Sequence, residues 1–132
     1  MKKIYLIGVD GGTESLRAGV FDHAGVPLAY AATTYATEFP APGWAEQNPQ
    51  DWWIALGQSV REAVKKAGIR PDQVTAMTVD TTCCSVVALD SAGNAVRPAL
   101  IWMDVRSAKQ AEQLVATGDA ALCINSNGNG PV

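Results

Sequence analysis

The hydrophobic and polar positions in the first third of the chain predict three successive strands. Residues 4–9 are apolar at nearly every position, which is typical of a central strand buried on both faces. After a polar turn that contains two glycines, residues 16–22 predict a second strand, 23–26 a turn and 27–34 a third strand. Because only short turns separate these strands, we expect an antiparallel meander.

The middle of the chain predicts a loop, a helix and a parallel strand. Prolines and glycines between residues 37 and 50 indicate an ordered surface loop. Asn48 as N-cap and Pro49 at the first helical position predict a helix that ends at about Lys66. The apolar run 74–79 predicts a fourth strand, which the intervening helix allows to lie parallel to an earlier one. This order of elements predicts an α/β domain with a mixed sheet.

The segment 80–93 echoes the segment 10–25. In each, an aspartate opens a polar turn, a strand follows, and an Ala-Gly turn closes the unit. The echo places two polar turns at the ends of neighbouring strands, where clefts form in open sheets.

The end of the chain predicts one more strand and a short helix. Residues 95–102 fit a strand, Asp104 fits a helix cap, and the apolar stripe between 105 and 115 has helical spacing. Residues 117–119 would stop that helix. The polar, glycine-rich stretch 125–132 has no periodic pattern, and an ending there predicts a chain cut in a loop.

Composition removes several classes of function. With 48% hydrophobic and 17% charged residues, the 132-residue chain is expected to fold. Its net charge is −3 and its Lys and Arg residues are scattered along the chain, so neither nucleic acid nor an anionic membrane is an expected partner. No apolar run is long enough to span a bilayer. Cys83, Cys84 and Cys123 form neither a disulfide framework nor a zinc spacing, which favours the cytoplasm. His23, in a turn, is expected to be a surface residue.

The stretch 10–17, Asp-Gly-Gly-Thr-Glu-Ser-Leu-Arg, carries the candidate chemistry. Glycines permit positive φ and close backbone approach, so successive N–H groups can converge on an anion. Hydroxyl groups and the guanidinium of Arg17 can add charge-assisted hydrogen bonds. A hairpin turn with glycines chosen for geometry explains the same residues, and both interpretations stay open here.

Three segments together resemble the FGGY carbohydrate kinases. They are residues 10–17, the loop and helix start at 42–53 with its Pro-Gly-Trp-Ala-Glu-Gln run, and residues 99–106 with Trp-x-Asp-x-Arg. The resemblance implies a ribonuclease-H-like α/β fold of the actin, chaperone and hexokinase group, truncated here, with flanking helices. It also implies that residues 1–132 are the N-terminal part of the first kinase domain, with the rest of that domain and the second domain absent.

The resemblance assigns the first polar turn to ATP and Mg²⁺. Asp10 would hold the metal ion through water. The ATP phosphates would be held or neutralised by the turn as a whole: Asp10, Gly11, Gly12, Thr13, Ser15 and Arg17.

The second polar turn matches the position of the family's sugar pocket. Thr82, Cys83 and Cys84 stand where relatives such as glycerol kinase carry charged residues. The small, uncharged side chains resemble the ribulokinase-like branch, so we expect a pentulose such as ribulose, or a related polyol, as substrate.

The Trp-x-Asp-x-Arg segment is implied to complete the sugar site. Trp102 would offer an apolar platform, while Asp104 and Arg106 would bond hydroxyl groups. The alternative is that Asp104 caps the last helix and Arg106 pairs with it on the surface.

The resemblance also implies what the chain lacks. The family's catalytic aspartate is expected beyond Val132, so we expect the fragment to be inactive alone and to self-associate through uncovered apolar surface. Two other interpretations stay open: a nucleotide-binding scaffold of the actin or chaperone type, and a binding domain without catalysis.

Overall fold

The computed structural model describes residues 4–118. The strands are β1 (Tyr5–Gly11), β2 (Ser15–Asp22), β3 (Pro27–Thr34), β4 (Glu46–Gln47), β5 (Val74–Thr81) and β6 (Ala99–Leu100). The helices are α1 (Pro49–Lys66) and α2 (Ala108–Ala116), and a 3₁₀ turn spans Pro71–Gln73. None of the helices in this range is long and apolar enough to cross a bilayer.

The main sheet has the order β3-β2-β1-β5. Its first three strands form the predicted antiparallel meander, and β5 pairs in parallel with β1, also as predicted. In this register Asp10 lies beside Asp80, which confirms that the two polar turns follow neighbouring strands. The small strands β4 and β6 pair antiparallel in a separate sheet.

Helix α1 has the predicted bounds. The Asn48 side chain accepts a hydrogen bond from the Gln50 N–H at 3.0 Å, Pro49 is the first helical residue, and Gly68 follows the helix with a φ of 65°. The buried face of α1 includes Ala55 and Ala63, which pack on the sheet. A side chain with a Cβ would be strained at Gly68, which explains the glycine there.

The prediction that β1 is buried on both faces is wrong for the part of the chain that the structure describes. Ile7 and Val9 are buried under α1, whereas Leu6 and Asp10 on the other face are exposed. The helix covers one face of the sheet, and β5 is an edge strand of that sheet. A continuous apolar run therefore did not reveal that only alternate residues are covered within residues 4–118.

The predicted strand at 95–102 is reduced to β6, and the strand expected before Asp90 is absent. Single bridges join Leu89 to Ala95 and Val86 to Leu100, so no continuous ladder forms. Pro98 contributes to this interruption because it has no N–H to donate.

The turns of the internal echo are nevertheless alike. The Oδ1 atom of Asp22 accepts hydrogen bonds from the N–H groups two and four residues later, both at 2.9 Å. The Oδ1 atom of Asp90 does the same at 2.9 and 2.8 Å. Gly25 and Gly93 adopt φ values of 80° and 86° in these turns. His23 is exposed in the first turn, as expected.

Two further expectations need correction. The segment 37–50 is not wholly a surface loop, because Ala45, Glu46 and Gln47 are buried and the last two form β4.

Helix α2 begins at Ala108 with Ser107 at its N-cap position, so Asp104 does not cap it. No residue of α2 is buried within the described range, and Gly118 follows the helix with a φ of 66°. The expectations for Asp119, Cys123 and residues 125–132 lie outside the described residues.

Candidate functional site

A tight hairpin joins β1 to β2 at residues 12–14. The Gly12 N–H donates to the Ser15 carbonyl at 3.0 Å, and neither Gly11 nor Gly12 has a positive φ. A Cβ on Gly12 would lie 2.7 Å from Nη2 of Arg17, and one on Gly11 would lie 3.1 Å from Oγ1 of Thr81. A Cβ at Gly11 would crowd Thr81 and one at Gly12 would displace the Arg17 guanidinium, so the two glycines allow close approach without adopting positive φ.

Two side chains from other elements hold Thr13 at the tip of this hairpin. Nε2 of Gln47 donates to the Thr13 carbonyl at 2.6 Å, and Nε1 of Trp102 donates to the Thr13 hydroxyl at 3.1 Å. A third contact fixes Gly12, whose carbonyl accepts a hydrogen bond from the Tyr35 hydroxyl. The hairpin thus has its backbone oriented by distant segments before any ligand binds.

Gln47 is the hub of this arrangement. Its side chain is bonded on both ends, because Nε2 also donates to Oγ1 of Thr37 at 2.6 Å and Oε1 accepts from Nε1 of Trp52 at 2.8 Å. Gln47 is only 4% exposed. A buried amide with all of these bonds satisfied fixes one geometry, so Gln47 couples the start of α1 to the hairpin.

Burial affects Tyr35 as well. Partial burial is the main cause that raises the pKa of the Tyr35 phenol, and the nearby charge of Arg17 opposes the shift. The phenol therefore stays protonated and donates to the Gly12 carbonyl across the physiological pH range.

Asp10 and Arg17 form an ion pair on the sheet face opposite α1. Their strands place them side by side, and Nη2 of Arg17 lies 2.7 Å from Oδ2 of Asp10. The Asp10 side chain is 59% exposed and the Arg17 side chain 54% exposed, so the pair contributes little to stability. A carboxylate and a guanidinium that are both exposed stay accessible to a charged ligand.

A cleft of about 430 Å³ lies on the α1 side of the hairpin. Its walls are mostly apolar and include Trp52, Trp53 and Leu56 from α1, with Val79 and Val87 opposite. Its polar rim comes from both polar turns: Gly11, Gly12, Thr81, Thr82 and Ser85. An apolar cavity with a few polar groups at one end is typical of a small-molecule site.

Thr82, Cys83 and Cys84 continue from β5 at this rim. The Thr82 N–H donates to the Gly11 carbonyl at 3.1 Å, which ties the second turn to the first. Cys83 and Cys84 are exposed, and Sγ of Cys84 donates to Sγ of Cys83 at 3.6 Å. That hydrogen bond raises the pKa of the Cys84 thiol. Only Thr82 of the three lines the cleft.

Asp104 and Arg106 bind each other, as the alternative expectation proposed, but not on the surface. The Asp104 side chain is 5% exposed and accepts hydrogen bonds from Arg106 at 2.6 to 2.9 Å and from the Ala45 N–H at 2.8 Å. Glu46, at 9% exposure, accepts from Arg106 at 2.7 Å and from Arg97 at 2.6 Å. These charged groups lock the loop after β6 to β4.

The same contacts shift the pKa values of Asp104 and Arg106. The hydrogen bond from Arg106 holds the pKa of Asp104 well below its usual range, and the pKa of Arg106 is raised mainly by its hydrogen bond to Asp104. Arg106 also lies 4.0 Å above the ring of Trp44. A carboxylate held in this way is a poor proton acceptor at neutral pH.

The structure divides the sequence-predicted residues into separate groups. Trp102 bonds Thr13, and the Thr82 backbone bonds Gly11, so both segments reach the hairpin, but of these three residues only Thr82 lines the cleft. Asp10 and Arg17 lie on the other sheet face. Ser15 accepts the Gly12 hydrogen bond through its carbonyl.

Sequence reasoning did not single out Gln47 or Tyr35 as site residues. Gln47 stood within the recognised motif at 42–47, but nothing local showed that its side chain reaches Thr13. The contact spans 34 positions, and only the tertiary fold reveals it.

Known proteins resemble this chain in sequence and in fold. Residues 5–130 match the family described as the FGGY family of carbohydrate kinases, N-terminal domain. A glycerol kinase of Pediococcus pentosaceus is 34% identical over 115 residues, which are 86% of this chain and 23% of that protein. The chain therefore spans about a quarter of the length of the curated relatives it matches.

Solved structures confirm the fold. The xylulose kinase from Rhodospirillum rubrum has a TM-score of 0.83 and 28% identity, covering 97% of this chain and 26% of that one. The gluconate kinase from Lactobacillus acidophilus has a TM-score of 0.82 and 21% identity, covering 90% of this chain and 24% of that one. The mixed sheet with flanking helices is the sheet of the sugar kinases, as predicted. The chain belongs to the FGGY family of carbohydrate kinases.

Proposed function

We propose that the complete protein transfers the γ-phosphoryl group of ATP to a hydroxyl group of a small sugar or polyol. The observation that carries the proposal is the 3.1 Å hydrogen bond from Trp102 to the Thr13 hydroxyl. It joins the turn expected to bind phosphate to the segment expected to bind sugar. The phosphoryl donor, ATP, and the phosphoryl acceptor, the sugar, would thus bind next to each other.

The hairpin supplies the positioning that phosphoryl transfer requires. This reaction depends on orientation and charge neutralisation more than on covalent help from the protein. The exposed guanidinium of Arg17 would neutralise phosphate charge, while Gly12, Thr13 and Ser15 would bring backbone and hydroxyl groups close. Because Gln47, Tyr35 and Trp102 already hold the hairpin, little ordering would be needed on binding.

Asp10 fits Mg²⁺ as a single carboxylate ligand. Mg²⁺ in kinases keeps several waters and takes one or two carboxylates together with substrate phosphates. Asp10 is exposed, and no group of three or more His, Cys, Asp or Glu side chains suited to a metal occurs within residues 4–118. Asp10 would therefore hold the ion through water, and the ion would neutralise charge on the phosphates.

A pentulose of the ribulose type is the favoured substrate. Thr82 at the cleft and the neighbouring Cys83 and Cys84 carry no fixed charge, which leaves room for a ketose chain. Trp102, 52% exposed, would pack against its carbon face. The tight pairing of Asp104 with Arg106 favours a supporting role for them, with hydroxyl contacts made through groups that remain accessible on Arg106.

Glycerol is the second candidate because glycerol kinases are among the curated relatives at 34% identity. The two candidates differ in size. Glycerol is the smaller molecule and would leave much of the cleft unfilled, whereas a pentulose would occupy more of it.

The three described aspartates of the sequence motifs, Asp10, Asp80 and Asp104, are poor candidates for the catalytic base. Asp104 is held ionised by Arg106, Asp10 is paired with Arg17, and Asp80 accepts a hydrogen bond from the Thr81 N–H at 3.0 Å. We therefore place the base in the part of the kinase beyond this chain, and we expect residues 1–132 alone to show no phosphorylation of any sugar.

The test is a coupled ATPase assay of the complete protein with D-ribulose, L-ribulose, D-xylulose and glycerol. We expect the highest kcat/KM with a pentulose, and an increase of about tenfold or more in the KM for ATP in Arg17→Ala. Arg61→Ala, on the exposed face of α1, is the matched control and should behave as wild type. Activity with none of the four substrates, or an unchanged Arg17→Ala, would contradict the proposal.

A further inference from the structure

The two adjacent thiols, Cys83 and Cys84, form an exposed pair whose sulfur chemistry the proposed phosphoryl transfer does not use. Their sulfur atoms lie 3.6 Å apart, and both residues are exposed. Cys84 is the one non-glycine residue within residues 4–118 with a positive φ, at 61°. This left-handed backbone turns the second thiol toward the first, because side chains of adjacent residues in extended backbone point to opposite faces.

The pair is poorly suited to closing a disulfide. Consecutive Cα atoms across a trans peptide bond are about 3.8 Å apart, whereas disulfides favour roughly 4.4 to 6.8 Å. The described residues contain no cis peptide bond, so this mismatch applies to Cys83 and Cys84. Reduced thiols held side by side are the favoured state.

The sulfur separation instead suits one bridging atom. Two bonds of about 2.3 Å to one bridging atom place the two sulfur atoms about 3.3 Å apart at a pyramidal centre with an angle of roughly 90°, and about 3.8 Å apart at a tetrahedral centre. The 3.6 Å between the sulfur atoms of Cys83 and Cys84 lies within that range. Little movement of either side chain is needed for both sulfurs to bind the same soft atom.

The number of donors decides which atom fits. Structural zinc takes four ligands, and the described residues offer no third His, Cys, Asp or Glu to complete such a group. A trivalent arsenic that already carries one organic group needs only two sulfur ligands. We propose that Cys83 and Cys84 form a chelating dithiol site for monosubstituted trivalent arsenicals and similar thiophilic centres.

The adduct forms without any change of oxidation state. An arsine oxide, R–As=O, reacts with both thiols; two arsenic–sulfur bonds form and the arsenic–oxygen bond is lost. The oxygen leaves as water with the two thiol protons. The adduct would lie at the rim of the cleft, because Thr82 and Ser85, which flank the pair, line it.

Phenylarsine oxide added to the reduced 132-residue chain tests this site by intact-mass spectrometry. We expect one phenylarsenic group per chain that survives excess monothiol and is removed by ethanedithiol. Chelation supplies the second thiol at high effective concentration, so Cys83→Ser and Cys84→Ser should each lose the group at least about tenfold faster in monothiol. Circular dichroism would verify that both variants fold.

Cys123→Ser is the matched control and should retain the group as wild type does. A monothiol-resistant adduct in Cys83→Ser or Cys84→Ser, or its loss in Cys123→Ser, would overturn the proposal. Rapid removal of the group from wild type by monothiol would overturn it as well. None of these outcomes depends on kinase activity, so the dithiol site and the proposed phosphoryl transfer can fail separately.

Discussion

Replacing Gln47 by leucine should destabilise the chain by removing the hub that holds the hairpin. The substitution deletes the hydrogen bonds of the Gln47 side chain to Thr13, Thr37 and Trp52. Each lost bond leaves a partly buried partner unsatisfied, at a cost of about 1 kcal/mol. The three costs share one side chain and are not additive, and leucine regains about 1 kcal/mol of apolar burial. The net loss in unfolding free energy is about 2 kcal/mol.

Urea denaturation followed by tryptophan fluorescence measures this loss. With a denaturant slope of about 2 kcal/mol/M, the midpoint should fall by about 1 M. The matched control is Gln58→Leu on the exposed side of α1, which should change the unfolding free energy by less than about 0.5 kcal/mol. Equal midpoints for the two variants would refute the reasoning that the buried amide ties the hairpin to α1.

Three more outcomes follow from other contacts. In the complete protein, Gly12→Ala should raise the KM for ATP about tenfold, because its Cβ would lie 2.7 Å from Nη2 of Arg17 and would displace that guanidinium. Gly8→Ala is the control, since its Cβ would lie 3.4 Å from its nearest neighbour and should leave the KM unchanged. Steady-state kinetics measures both values. Asp104 has a depressed folded-state pKa, so its stabilisation is complete above the unfolded-state value of about 3.9 and declines below it. Urea titrations should therefore show that Asp104→Asn costs about 2 kcal/mol at pH 7 and progressively less below pH 4; a cost that does not change with pH would contradict this. Because the pKa of Cys84 is raised, its alkylation by iodoacetamide, followed by peptide mapping, should reach half-maximal rate at higher pH than that of a free cysteine, and an unshifted profile would count against the hydrogen bond to the neighbouring thiol.

Local signals predicted the regular elements well. The N-cap at Asn48, the proline after it and Gly68 defined α1 to within a residue, because helix ends depend on nearby backbone groups. The Asp-x-Ala-Gly turns at 22–25 and 90–93 were recognisable for the same reason. Strand pairing was less predictable: the 95–102 run is apolar enough for a strand but finds only β4 and single bridges to pair with.

The candidate site was only partly predictable. Motif resemblance brought forward Thr13, Thr82 and Trp102, and in the structure Trp102 bonds Thr13 while the Thr82 backbone bonds Gly11. The roles of all the site residues in binding remain predictions. Gln47 and Tyr35 could not be chosen from the sequence as site residues, because their partners lie 34 and 23 positions away.

The sequence by itself determined the order of β1, β2, β3, α1 and β5, the position of the polar turns after β1 and β5, and the family. These features depend on local backbone chemistry and on short motifs, which a linear pattern records. Only the tertiary structure decided which face of the sheet carries Asp10 and Arg17 and that the Gly-Gly pair allows close approach without positive φ. It also decided that the buried carboxylate of Asp104 binds Arg106 and does not cap α2. These features depend on which distant segments meet, and side-chain contacts across 34 to 89 positions leave no local trace in the sequence.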